Sequence, residues 1–304
     1  MIDRACLSLT NKCQLRCTYC HFHKHIDKNC GCDMKVSEVI TIVQNIYNYA
    51  LKNNIHFKIG LVGSGEPLIM FSLIQECIKY SNSIDKENRL SFYTITNGLL
   101  CNEEKIKWFY ENKERIKLCF SVDGYKELHD YCRVDINKNG SYDKVSKGIA
   151  LYKKYFNTSP SINPTVTKKT IENKDKVFSF FEENFSDVTF SRLVDEESPD
   201  LQITKDEYKS FMESASKTTL SLRQLKRPPK YDCTMYGQLC GVGRTNIFYA
   251  NGKVYPCGRF IGMENYVLGN IEDKIEDIEK KQSKLNPVED GKCYFDENVI
   301  GEGL

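Results

Sequence analysis

"LTNKCQLRCTYCHF", Leu9 to Phe22, places Cys13, Cys17 and Cys20 within eight residues. Disulfide, zinc and iron–sulfur chemistry compete for thiols spaced four and then three apart. The chain opens "MIDRACLSLT", without the apolar core of a signal peptide. No run approaches the roughly 18 apolar residues of a membrane span. These features predict a cytoplasmic protein with no membrane contact, where thiols stay reduced and clustered cysteines bind metal or do chemistry. Structural zinc closes with four ligands in paired spacing. Here three cysteines stand close, and His21, His23 and His25 follow as candidates for a fourth ligand. A cubane cluster on three thiolates instead leaves one iron free for a substrate or cosubstrate. Zinc and iron–sulfur both remain open on spacing alone.

Around this loop lies a chain of 304 residues with a formal net charge of +2, which gives no argument for a nucleic-acid or anionic-membrane partner. Lysines interleave with acids, as on a solvated surface. Fourteen cysteines are many, and their grouping is informative: one set early, and Cys233, Cys240, Cys257 and Cys293 late.

Short apolar runs alternate with helical patterns up to about Val194. The predicted strands are 5–10, 56–63, 90–96, 116–122, 161–167 and 188–194, rich in β-branched and aromatic residues. Between them, helices are predicted in segments such as "VSEVITIVQNIYNYALKNN", where Val39, Ile42, Val43 and Ile46 recur at helical intervals. The alternation predicts βαβ units and a parallel sheet. Six strands suit a partial (β/α)6 TIM-like barrel, with chemistry at the carboxyl ends of the strands. The three-cysteine loop follows strand one at that end. "GSGEPL" (63–68), "TNG" (96–98) and "SVDG" (121–124) follow strands two, three and four. Each alone reads as a tight turn. Four polar strand ends facing one mouth read as a site.

With these residues assembled, the sequence resembles the radical S-adenosylmethionine (SAM) enzymes. Cys13, Cys17 and Cys20 match the family's C-x3-C-x2-C motif, and Tyr19 its usual aromatic. "GSGEP" resembles a Gly-Gly-Glu-Pro turn, with Ser64 replacing the first of the paired glycines. The resemblance covers about residues 1–200. It implies a four-iron cluster on the three thiolates, with SAM bound at the free iron. It places Ser64, Gly65, Glu66, Asn97, Ser121, Asp123, Arg133 and Leu193 as candidate SAM contacts. Gly65 would let the backbone approach SAM's amino group, and Arg133 would offer a planar fork to a carboxylate. Glu66 reads equally as a helix cap, and Leu193 equally as a core leucine. An external electron donor of the flavodoxin or ferredoxin type is implied as a partner.

Residues 201–230 read as a helical bridge, with a helix over 204–225 ended by "KRPPK". Residues 231–304 read as a small α+β cluster-binding domain. Asn251-Gly252 signals a two-residue hairpin that returns Cys257 toward Cys240, and Asn270 is the expected cap of the helix that follows. The block resembles a SPASM auxiliary-cluster domain in its shortened, twitch form. It implies a second [4Fe-4S] cluster on Cys233, Cys240, Cys257 and Cys293, making two in all; zinc on four thiolates is the alternative.

Relatives with such domains mostly modify peptides and proteins. The resemblance suggests maturation of a ribosomally made peptide, by thioether or carbon–carbon crosslinking or by epimerisation. Cys13 comes too early for an N-terminal leader-binding domain, so a leader would need a separate partner protein or the barrel itself. Sulfatase-maturing relatives carry an aspartate after the post-hairpin cysteine. Gly258 and Arg259 follow Cys257 here, which argues against that reaction. Cys119, Cys132, Cys30 and Cys32 are candidate hydrogen donors. Cys119 and Cys132 read first as buried small hydrophobes. Asp195 and Glu196 are candidate acids or bases, or loop residues in solvent. A small-molecule radical SAM enzyme of cofactor synthesis and a zinc-stabilised binding module are the competing functions.

Overall fold

A computed structural model describes residues 1–22, 33–194, 199–226 and 229–300. His23, His25, Cys30, Cys32, Asp195 and Glu196 lie outside the described residues. The strands are β1 (Arg4–Ser8), β2 (Phe57–Val62), β3 (Leu90–Thr96), β4 (Ile116–Phe120), β5 (Ser161–Ile162), β6 (Thr165–Val166), β7 (Ser191–Arg192), β8 (Tyr231–Asp232), β9 (Leu239–Cys240), β10 (Asn246–Ala250), β11 (Lys253–Tyr255) and β12 (Gly269–Asn270). The helices are α1 (Val36–Lys52), α2 (Phe71–Ile84), α3 (Glu103–Glu111), α4 (Lys126–Cys132), α5 (Tyr142–Phe156), α6 (Lys168–Glu172), α7 (Lys174–Asn184), α8 (Lys205–Ala215) and α9 (Ile275–Gln282).

Strands β1 to β5 pair in parallel in chain order, and β6 pairs in parallel with β7, giving the expected α/β partial barrel. Asn163 and Pro164 interrupt the fifth predicted strand, because proline has no N–H for the ladder. Side chains alternate strictly across the sheet. On β3, Leu90 and Phe92 enter the core beneath the helices, while Ser91, Tyr93 and Ile95 face the barrel interior. Helix α1 buries Val39, Ile42, Val43 and Ile46 as its periodicity requires, and the Glu38 carboxylate accepts a hydrogen bond from the Lys35 N–H to start it.

Two expectations are corrected. The helix expected over 204–225 stops at Ala215. Beyond it, buried Leu222 pairs with Val188 as an isolated parallel bridge, so packing against the barrel outweighs helix continuation. Asn270 does not cap the last helix: it lies on β12, and Lys274 stands at the cap. The C-terminal block continues the barrel sheet. The β10–β11 hairpin, with Asn251 and Gly252 both at positive φ as its turn requires, pairs β10 in parallel with β1. The late cysteines are thereby brought to the barrel's open side. Among the described residues no helix is long and apolar enough to cross a membrane.

Candidate active site

The three-cysteine loop leaves β1 and is held from both flanks by backbone bonds. On one side Gly65 N–H donates to Thr10 C=O (3.0 Å) and Glu66 N–H to Lys12 C=O (2.8 Å). On the other, Arg16 N–H donates to Val134 C=O and Thr18 N–H to Cys132 C=O. A Cβ on Gly65 would lie 2.2 Å from the Lys12 carbonyl oxygen. The glycine is therefore demanded by close approach of the cysteine loop itself, where the sequence suggested room for a bound amino group.

Cys13, Cys17 and Cys20 line a cavity of about 620 Å³ together with Tyr19, Ser64, Gly65, Glu66, Asn97, Ser121 and Arg133, and with Cys233 and Cys257 from the C-terminal block. Glu66 is buried and fully engaged: it accepts from Leu68 N–H, Thr96 hydroxyl and Asn97 N–H. The helix-cap reading holds for its position, since it caps a short 3-10 turn, and the same carboxylate ties β2 to β3 at the cavity wall. Asn97 turns its side-chain amide toward Cys13 Sγ at 3.7 Å. The Ser64 and Ser8 hydroxyls share a hydrogen bond of 3.0 Å.

Arg133 differs from expectation. Its fork is committed: Nε donates to Asp123 at 2.8 Å and Nη2 at 3.2 Å. Asp123 also accepts from the Tyr19 hydroxyl and from Thr165 N–H. The guanidinium lies 5.5 Å from the centre of the Tyr19 ring. Burial pushes the Tyr19 phenol well above its ordinary pKa, so it remains a donor. His129, which the sequence did not single out, completes this unit. Its Nδ1 accepts from Asp123 N–H, and its Nε2 pairs with Ser141, whose hydroxyl donates to Arg133 C=O. Burial pulls His129 down to about 4, keeping the imidazole neutral. The signal was one helical turn: His129 and Arg133 stand four apart in "ELHDYCRV".

Leu193 and Cys132 pack with Tyr19 and Leu201 beside Cys17, off the cavity wall. Cys119 is buried lower in the barrel, near Arg223. Neither cysteine shares the cavity of the cysteine loop.

The four late cysteines converge. Cys293 hydrogen-bonds Cys240 and lies near enough to Cys233 and Cys257 for its charge to raise both. The bond from Cys240 draws Cys293 down to about 6, while Cys240 is pushed up. Arg259 Nη1 approaches Cys293 Sγ at 3.7 Å. Burial raises Cys13 and Cys17 too, Cys17 to about 12, so metal loading there must expel protons. Among the described residues no three Cys, His, Asp or Glu side chains close on a single metal ion. All-thiol donor sets of three and of four cysteines are the ligand chemistry of iron–sulfur clusters.

The Radical SAM superfamily model matches residues 7–179. A cysteine-type anaerobic sulfatase-maturating enzyme of Clostridium novyi (strain NT) is 30% identical over 294 residues, covering 87% of this chain and 75% of its own. The solved structure of native anSMEcpe with bound AdoMet superposes with a TM-score of 0.76 at 24% identity, covering 93% of this chain and 83% of that one. Streptococcus suis SuiB bound to precursor peptide SuiA has a TM-score of 0.63 at 17% identity, covering 92% and 64%. A barrel with three thiols after its first strand, at one cavity with polar strand ends, and a matching family model spanning most of that barrel lead to one conclusion: the chain belongs to the radical SAM superfamily, as an enzyme whose cofactors are S-adenosylmethionine and four-iron, four-sulfur clusters.

Proposed function

We propose that this enzyme matures a peptide or protein, forming a thioether or carbon–carbon crosslink or inverting a residue's configuration. The observation that carries the reading is one cavity bounded on one side by Cys13, Cys17 and Cys20 and on the other by Cys233 and Cys257. A substrate side chain held there would lie between a SAM-binding cluster and an auxiliary cluster on Cys233, Cys240, Cys257 and Cys293. The curated relative is a sulfatase-maturating enzyme, and SuiB was solved with its precursor peptide, so protein and peptide substrates are the chemistry of this neighbourhood.

Cys13, Cys17 and Cys20 would hold the SAM cluster, which would supply reductive SAM cleavage and hydrogen abstraction from an unactivated carbon. The protein's share is to orient and shield. The Asp123–Arg133–Tyr19 unit stiffens the loop from behind, and Glu66 fixes two strand ends. The reaction differs from sulfatase maturation in its proton acceptor. Beside Cys257 stands Gly258, where a Cβ would lie 2.9 Å from the Phe248 ring, and Arg259 is turned to Asp296 at 2.5 Å. Asp296 also pairs with Arg192, so neither position offers an open base.

The test is anaerobic reconstitution, expected to load about eight irons per chain, followed by SAM, reductant and candidate peptides. Deoxyadenosine release should rise with the right peptide. Mass spectrometry should then find loss of two hydrogens for a crosslink, or deuterium uptake from heavy water for epimerisation. Conversion of a sulfatase peptide to its aldehyde would overturn the assigned reaction class.

A further inference from the structure

Below Tyr93 the barrel interior widens into a second chamber of about 310 Å³, which shares Arg4, Tyr93, Ile95, Asp232 and Tyr236 with the upper cavity. Its wall carries five cations, Arg4, Lys58, Lys117, Arg223 and Lys230, against one carboxylate, Asp232. They come from inward positions at the N-terminal ends of β1, β2 and β4, and from the segments flanking residues 227–228. Asp232 is committed to Arg4. Asp187 takes Lys117 at 3.2 Å and Arg223 at 2.9 Å. Lys58 has no carboxylate partner among the described residues; its ammonium lies 4.6 Å from the centre of the Tyr93 ring. Burial pulls Lys58 down to about 8, and Arg4, Lys230 and Arg223 add to the push against the opposing pull of Asp232. Arg4 Nε and Thr189 Oγ1, buried atoms of the same wall, have no hydrogen-bond partner. Lys117 and Lys230 are exposed, but half-buried Lys58 without a carboxylate partner and the unmet Arg4 Nε leave positive charge and donors on this wall for an anion to meet.

We propose that this lower chamber binds a carboxylate carried by the substrate. The proposal rests on the peptide-maturase reading and adds a sequence requirement to it. Arg4 and Ser8 mark the two ends of β1, four residues or about 13 Å apart at the usual strand rise. An extended peptide covers that distance in about four residues. The substrate therefore places an acidic side chain, or its C-terminus, about four positions from the residue that reacts. The reacting residue sits at the thiols and the acid sits at Lys58.

The test is calorimetric titration of the reconstituted full chain, with SAM, using three probes: acetyl-Ala-Glu-Ala-amide, its Gln counterpart and inorganic phosphate. The Glu tripeptide should bind about tenfold or more tightly than the Gln one, as a charge-assisted bond implies. Lys58→Gln should abolish that preference and Lys58→Arg should keep it, with melting curves checking that both fold. Lys230→Ala, at the exposed rim, should weaken the preference about twofold to threefold. Equal binding of the two tripeptides, or a preference that survives Lys58→Gln, overturns the proposal. Phosphate bound as tightly as the Glu tripeptide, and lost in Lys58→Gln, marks a free-anion site and overturns the assignment to substrate. Deoxyadenosine release separates the two readings. Equal stimulation by Glu- and Gln-containing peptides leaves the maturase reading standing and sinks the chamber. A Glu preference in binding with no stimulation by any peptide supports the chamber as a carboxylate site and counts against maturation.

Discussion

The two cysteine sets are built on opposite plans. Cys13, Cys17 and Cys20 sit on a loop whose path is set by other residues: Gly65, Glu66, Cys132 and Val134 hold its backbone, and the barrel core lies beneath. Cys233, Cys240, Cys257 and Cys293 belong to a block with little regular structure, and Cys293 itself packs in its small apolar cluster with Phe260, Tyr294 and Phe295. The first set lies on a loop above the main core. The second lies beside a smaller apolar cluster, in a block that also reaches the main core through Ile247, Tyr249 and Val254, and we propose that its ligands help hold that smaller cluster together. The difference teaches which cluster can afford an open coordination position: the one whose ligands carry no structural duty.

The largest effect should follow from changing Cys13, Cys17 and Cys20 together to Ala. SAM cleavage should fall to background because a methyl group cannot ligate iron. About half the iron should remain, and the melting temperature should move little. A melting temperature that collapses with activity would break the comparison at its root. Cys293→Ala should behave in reverse. It should lose the other half of the iron and product formation, keep some SAM cleavage, and melt about 10 °C or more lower, from several kcal/mol at about 2–4 °C each. Intact iron content and an unchanged melting curve would remove Cys293 from the ligand set.

The same contrast explains what was legible in the sequence. Strands β1 to β4, the helices between them, the hairpin at Asn251-Gly252 and the loop cysteines are local signals, carried by periodicity, turn residues and spacing. What escaped is long-range. Gly65 answers to the carbonyl of Lys12, fifty-odd residues earlier, so its reason was invisible as a motif. Arg133 spends its fork on Asp123, which also binds His129 of the same helix and Thr165 from another segment, while Ser141 from a third ties His129 to the Arg133 carbonyl. Leu222 abandons a helix to pair with Val188. The parallel pairing of β10 with β1, which joins the late cysteines to the cavity, has a sequence separation of over two hundred residues and no local mark.

In each set a polar side chain is aimed at a sulfur, and these sharpen the comparison. Near Cys293 it is a guanidinium, Arg259 at 3.7 Å. A cluster gains negative charge on reduction, so a donor to its sulfur favours the reduced form, and removing the donor lowers the potential. A bond to a charged donor is worth about 1.5–3 kcal/mol. Arg259→Gln should therefore lower the auxiliary cluster's potential by about 60–130 mV, at about 59 mV per tenfold for one electron. Arg192 still pairs with Asp296, so the local fold should hold. An EPR-monitored redox titration reads the shift, and a potential that rises would reverse the sign argument.

The smallest effect belongs to Asn97, whose neutral amide donates to Cys13 Sγ at 3.7 Å. A neutral bond is worth about 0.5–1.5 kcal/mol, so Asn97→Ala should make the SAM cluster harder to reduce by about 20–60 mV. The backbone bond from Asn97 N–H to Glu66 does not need the side chain, so the β3 strand end should keep its place. Asn97→Asp sets a carboxylate where the amide stood. Like charge beside a thiolate should lower the potential further than Ala does, and this ordering separates electrostatics from lost packing. Because the cluster must be reduced before SAM is cleaved, the rate with a weak reductant should fall in the order wild type, Ala, Asp. With a strong reductant in excess, wild type and Ala should converge. Equal potentials in wild type and Ala would mean that the 3.7 Å contact does no electrostatic work and that Asn97 serves the strand end alone.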